Sequence, residues 1–145
     1  MTEPQRHTHV VLDTDVTSWL LAAPDSSHAE AALRVIGRRT RLLSFVTATE
    51  LRFGALRAGW GELRLRRMER SLDGVELVQT SKRLINRCAE LRAWANRTGH
   101  PFVQKIHEAD RWVAATALAL DLELVAGDGI YAGVEGLDVH RIHPS

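Results

Sequence analysis

Short runs rich in Val and Leu recur along the chain, and stretches with helical spacing separate them. His9-Val10-Val11-Leu12 is the first, stopped by the turn-forming Asp13-Thr14-Asp15. Leu42–Val46, Val75–Gln79 and Leu122–Ala126 follow, and Asp138–Ile142 reads as an edge strand. Between them, Thr17–Ala23, Ser27–Arg38 and Glu62–Leu72 read as helices, and Thr47 opens another with Leu51, Ala55 and Leu56 on one face. Ser81 caps a longer helix in which Leu84, Cys88, Leu91 and Ala95 share a face, and Ala109, Val113, Ala117 and Leu120 mark the last. Buried strands alternating with helices specify an α/β fold: a parallel sheet of four to five strands, helices on both faces and right-handed crossovers. In such sheets the ligand site lies beyond the carboxyl ends of the strands, where strand order reverses. Chemistry is therefore expected just after strands.

At 145 residues the chain is expected to form a single domain over residues 1–145, with a core of about 9–142. No linker composition or repeat divides it. A single cysteine, Cys88, excludes an internal disulfide and fits a reducing compartment. The first nine residues are polar, and the longest apolar run, Trp112–Leu120, is too short to span a bilayer. A cytoplasmic protein without membrane contact is the expectation. The formal net charge of +1 does not announce a nucleic-acid binder, but ten arginines crowd residues 34 to 70. That span forms either solvated helix faces or a phosphate-contacting surface.

Four acids fall where the fold would place chemistry, and each has an ordinary explanation. Asp13 suits a helix N-cap, and Thr47-Ala48-Thr49-Glu50 is a capping-box pattern. Asp110 falls in a first helical turn, favoured by the helix dipole, and Asp128 in Ala126-Gly127-Asp128-Gly129 suits a turn. Together they are harder to explain in that way. Residues after strands one, two and four, plus one at a helix start, would meet on one rim of the sheet. Ionised carboxylates crowded there repel, so some take up protons or a cation sits between them. A hard, oxygen-rich site suits Mg²⁺ or Mn²⁺, either of which orients a phosphodiester and activates water.

Four segments then resemble the PIN domain, and most closely the VapC-type toxins of bacterial toxin–antitoxin pairs. They are Val10–Asp15, Thr47–Leu51 with Gly54, Asp110–Leu118, and Leu124–Asp128. The likeness runs from about Val10 to Val139 and is most specific in the Asp110 helix. It implies a Mg²⁺- or Mn²⁺-dependent endoribonuclease acting on RNA, a homodimer, silenced by a VapB-like antitoxin. The expected catalytic set is Asp13, Glu50, Asp110 and Asp128. Asp13, Asp110 and Asp128 are the expected metal ligands, with Glu50 and Asp15 as further candidates and Thr47 and Thr14 as supporting hydrogen-bond partners.

Three positions depart from the family pattern. Asp15 stands where Asn is frequent, Ala126 supplies no hydroxyl two residues before the fourth acid, and Ile130 replaces a polar residue, although Tyr131 keeps the aromatic that follows. Two competing readings remain. Asp13-x-Asp15-x-Thr17 also opens haloacid-dehalogenase-like phosphatases, a reading that gives no role to Glu50 or to the Asp110 helix. A non-catalytic PIN-like interaction scaffold is the other. His107 and the His140/His143 pair lack partners at zinc spacing and read as surface or edge residues.

Overall fold

The computed structural model describes residues 3–143. After a short helix α1 (Glu3–Thr8), strand β1 (His9–Leu12) leads to helices α2 (Thr14–Ala22) and α3 (Ser27–Ile36). Strand β2 (Thr40–Ser44) is followed by α4 (Phe45–Arg57) and α5 (Glu62–Ser71), then β3 (Val75–Val78) and the long α6 (Lys82–Thr98). Two 3₁₀ turns, Pro101–Val103 and Lys105–His107, lead into α7 (Glu108–Leu120). Strand β4 (Leu124–Ala126), a 3₁₀ turn at Gly129–Tyr131 and β5 (Val139–Arg141) complete the chain.

The strands form one sheet in the order β3-β2-β1-β4-β5, every neighbouring pair parallel. The chain steps outward from β1 through β2 to β3, then returns to place β4 on the other flank of β1. Strand order therefore reverses between β1 and β4, and the crevice at their carboxyl ends is where a ligand is expected. Residue alternation splits the core. Val10 and Leu12 point to α2 and α3, packing with Val16, Ala32 and Ile36. Val11, Leu42 and Leu124 point to α6 and α7, packing with Leu84, Leu91, Val113 and Ala117. The expected face of α6, Leu84, Cys88, Leu91 and Ala95, is buried throughout.

Several expected boundaries move. The second strand is Thr40–Ser44 rather than Leu42–Val46, because Ser44, its last residue, also caps α4, its hydroxyl accepting from the Val46 N–H at 3.2 Å. The Thr47–Glu50 pattern therefore lies inside α4 and caps nothing. Helix α2 starts at Thr14 instead of Thr17, since Asp13 itself is the cap. Leu56, expected on the inward face with Ala55, is 57% exposed, whereas Ala55 is buried. Among the described residues no helix is long and apolar enough to cross a membrane.

Candidate active site

Asp13 leaves β1 at the reversal point and is 2% exposed. Its Oδ1 accepts from the Val16 N–H at 2.8 Å, which caps α2, and its Oδ2 accepts from the Gly127 N–H at 3.0 Å, just past β4. The carboxylate thus ties the two central strands' ends together. Gly127 is required for this approach: a Cβ there would meet the Trp19 ring at 2.6 Å and the Asp15 Cβ at 2.9 Å. Burial raises the Asp13 pKa from 3.8 to about 7, against the lowering pull of those N–H bonds and with a further push from the Asp15 charge.

The other acids gather on the same rim. Burial and the Asp128 charge raise Asp15. Asp110, third residue of α7, is raised by burial first and then by the charges of Asp128 and Glu50, while the Tyr131 hydroxyl bond and His107 lower it. Tyr131 donates to Asp110 Oδ1 at 3.3 Å, and His107 Nδ1 lies 3.9 Å from Asp110 Oδ2. Asp128 caps the Gly129–Tyr131 turn through one oxygen, accepting from the Ile130 N–H at 2.9 Å. Glu50 sits past the first turn of α4 and reaches across to α2, its Oε1 accepting from the Thr14 hydroxyl at 2.9 Å. Thr14 in turn lies 3.2 Å from the buried Thr47 hydroxyl.

Three of the ordinary explanations hold alongside the site, Asp110 lying in the first turn of α7 as expected. Asp13 does cap a helix and Asp128 does cap a turn, yet both still face the cluster. The explanation offered for Glu50 fails, because its partner is the Thr14 side chain rather than a helix-start N–H. All five expected acids come together, with Thr14 and Thr47 behind Glu50. Tyr131 and His107 were not expected as partners of Asp110. Tyr131 was legible only as an aromatic following the fourth acid, and His107 as a surface residue, because their closeness to Asp110 depends on how two turns pack against α7.

A divalent cation fits the donor chemistry of this rim. Every candidate ligand is a hard carboxylate oxygen, and among the described residues only His107 comes within ion-pair distance of any of the five acids. The acids shift one another's protonation in the direction of repulsion, which a cation offsets. Among the described residues no three acidic, histidine or cysteine side chains close around a common point. They are spread along the rim instead, near enough to act on one another's charge.

The arginine-rich span is partly committed elsewhere. Arg39 pairs with Glu123 at 3.0 Å, Arg52 with Glu69 and Arg66 with Glu62, while Arg64 lies over the Trp60 ring at 4.0 Å.

Residues 10–137, 128 of the 145 positions, match the family described as the PIN domain. The chain belongs to the PIN-domain family. As a PIN domain it also resembles solved structures across almost its whole length. Against VapBC2 from Rickettsia felis, bound to a promoter DNA fragment, the TM-score is 0.77 at 18% identity, covering 92% of this chain and 98% of the other. Against FitAcB from Neisseria gonorrhoeae it is 0.74 at 24% identity, covering 91% and 96%. Against VapBC-5 from Mycobacterium tuberculosis, described as a member of the VapBC family of toxin-antitoxin systems, it is 0.68 at 24% identity, covering 93% and 99%. At these identities the likeness is one of fold. No curated protein sequence matches the chain.

Proposed function

We propose that this PIN domain is a metal-dependent endoribonuclease and the toxin of a VapBC-type toxin–antitoxin pair. The observation that carries the reading is that Asp13, Glu50, Asp110 and Asp128 share the rim at the strand-order reversal, where among the described residues only His107 lies within ion-pair distance of these acids. Asp13, Asp110 and Asp128 would hold Mg²⁺ or Mn²⁺, with Glu50 and Asp15 as additional oxygen donors. Such an ion, when bound, supplies Lewis acidity and activates the attacking water. The chain's own residues supply the geometry. Asp13 is fixed by backbone N–H groups from both sides of the crevice, Asp110 by Tyr131, and Glu50 by Thr14. Fixed donors of this kind require little reorganisation when charge develops on a phosphate.

Purified protein with Mn²⁺ is expected to cut single-stranded or looped RNA, leaving 5′-phosphate and 3′-hydroxyl ends. EDTA is expected to stop it, and Asp110→Asn to slow it by orders of magnitude. Metal-independent cleavage or a 2′,3′-cyclic phosphate product contradicts the mechanism. A VapB-like antitoxin completes the reading: an acidic rim receives a guanidinium or ammonium group well, so the antitoxin is expected to place an Arg or Lys among the acids and exclude the ion. A homodimer located in the cytoplasm is the assembly the family resemblance favours. The phosphatase reading has no support, since Glu50 and Asp110, for which it has no role, both belong to the acidic rim.

A further inference from the structure

A rim carrying five carboxylates repels the phosphates of a nucleic acid, and a bound ion offsets that only at the scissile position. Substrate must be held by cations beside the rim. Arg141 is placed to do this. It ends β5, in register with Ala126 at the end of β4, so it stands one strand spacing, about 4.8 Å, outside the strand that delivers Asp128. Its side chain folds back over the 128–129 turn: a Cβ added to Gly129 would meet its Nη1 at 2.8 Å, its Cζ at 3.0 Å and its Nη2 at 3.3 Å. The guanidinium therefore rests on the bare Gly129 backbone, on the residue directly after Asp128. The Arg141 side chain is exposed and, among the described residues, makes no ion pair or hydrogen bond. Its donors are available, and burial imposes no cost on its charge.

We propose that Arg141 is a substrate-binding residue that takes a backbone phosphate of single-stranded RNA beside the scissile position, with Gly129 as the seat that sets the guanidinium's place. This rests on the nuclease reading above. A planar fork of donors grips phosphate oxygens in a defined direction, which an ammonium does not. The contact is to the backbone, so it orients the strand across the acids without selecting sequence.

The test uses the full chain and a short, labelled single-stranded RNA of mixed sequence. Cleavage is followed with Mn²⁺, and binding is followed by anisotropy in an Asp110→Asn background over a range of salt. Arg141→Ala is expected to raise KM and Kd about five- to tenfold with kcat little changed, and to lower the salt slope of log Kd by about 0.7. Arg141→Lys is expected to fall between. Gly129→Ala keeps every charge and displaces only the end of a flexible side chain. It is expected to weaken binding in the wild-type background and to add nothing to Arg141→Ala. Arg83→Ala is the control: Arg83 acts on Asp121 just beyond the far end of α7, about 17 Å along that helix from Asp110, and its loss is expected to leave KM and slope unmoved. Arg141→Ala with unchanged KM, Kd and salt slope, in a protein whose wild type cuts RNA, overturns the assignment of Arg141. So does a Gly129→Ala effect that persists in full without Arg141. A wild type that cuts no RNA with Mn²⁺ instead overturns the nuclease reading beneath it.

Discussion

Asp13 and Asp110 are both raised carboxylates on the same rim, but they answer differently to the same substitution. Asp13 accepts one backbone N–H with each oxygen. An Asn has a single acceptor oxygen, so Asp13→Asn must turn its NH₂ toward either the Val16 or the Gly127 N–H. At pH 5 the folded Asp13 carboxyl is already protonated, so the substitution relieves no charge there, and leaving a buried donor unpaired costs about 1–3 kcal/mol. Since Asn caps helices as well as Asp does, capping alone predicts a neutral change here; the second N–H, brought from β4, makes it destabilising. Asp110→Asn keeps an acceptor for the Tyr131 hydroxyl and removes one of several like charges. The metal-free Asp110→Asn protein is therefore expected to unfold at an equal or higher urea midpoint than wild type, and Asp13→Asn at a lower one. Equal destabilisation of both contradicts this account.

Helix α4 shows how an element boundary changes the meaning of its residues. A cap at Thr47 would have made Glu50 a local partner of its own helix start. With the cap at Ser44, Glu50 is freed to reach α2, and Thr47 is buried beneath Thr14. Ser44→Ala is expected to cost about 1 kcal/mol in urea unfolding through loss of the cap. The crevice between β1 and β4 is equally specific. Gly127→Ala pushes a methyl into the Trp19 ring and the Asp15 Cβ, and overpacking of this kind costs about 1–3 kcal/mol. Its effect is expected in thermal stability and, since Gly127 also holds Asp13, in Mn²⁺ affinity. A Gly127→Ala protein with wild-type melting and Mn²⁺ binding refutes the close approach.

Across the whole molecule the acids couple stability to pH and metal. The Asp13 carboxyl titrates near 7 when folded against 3.8 when unfolded. The folded protein thus holds more protons between those values, and the stability of the neutral form is complete below 3.8 and lost as pH rises through about 7. At roughly 1.4 kcal/mol per pH unit the ceiling is about 4 kcal/mol. Asp15 and Asp110, also raised, act in the same direction. Metal-free protein is expected to melt higher at pH 5 than at pH 8. Mn²⁺ at a hundredfold excess over its Kd is expected to restore roughly 3 kcal/mol at pH 8, and much less in Asp110→Asn. Calorimetry showing no pH dependence and no response to millimolar Mn²⁺ would leave the acids as caps and turn residues.

Local patterning by itself determined the alternation of strands and helices, the buried face of α6 and the positions of the four acids, three after strands and one at a helix start. Those signals repeat every two or every three to four residues and need no partner to be read. The pattern also resembled one family throughout, and that family is the one the chain belongs to. Only the tertiary structure decided which caps are real. Ser44 and Thr47 are both competent hydroxyls, and β2 runs in the sheet through Ser44, its last residue, in register with Val78 of β3. Tyr131 and His107 reached Asp110, and Arg141 reached Gly129, through packing between segments distant in sequence. Such contacts arise when separate elements dock on a shared sheet, and no spacing along the chain encodes their distances.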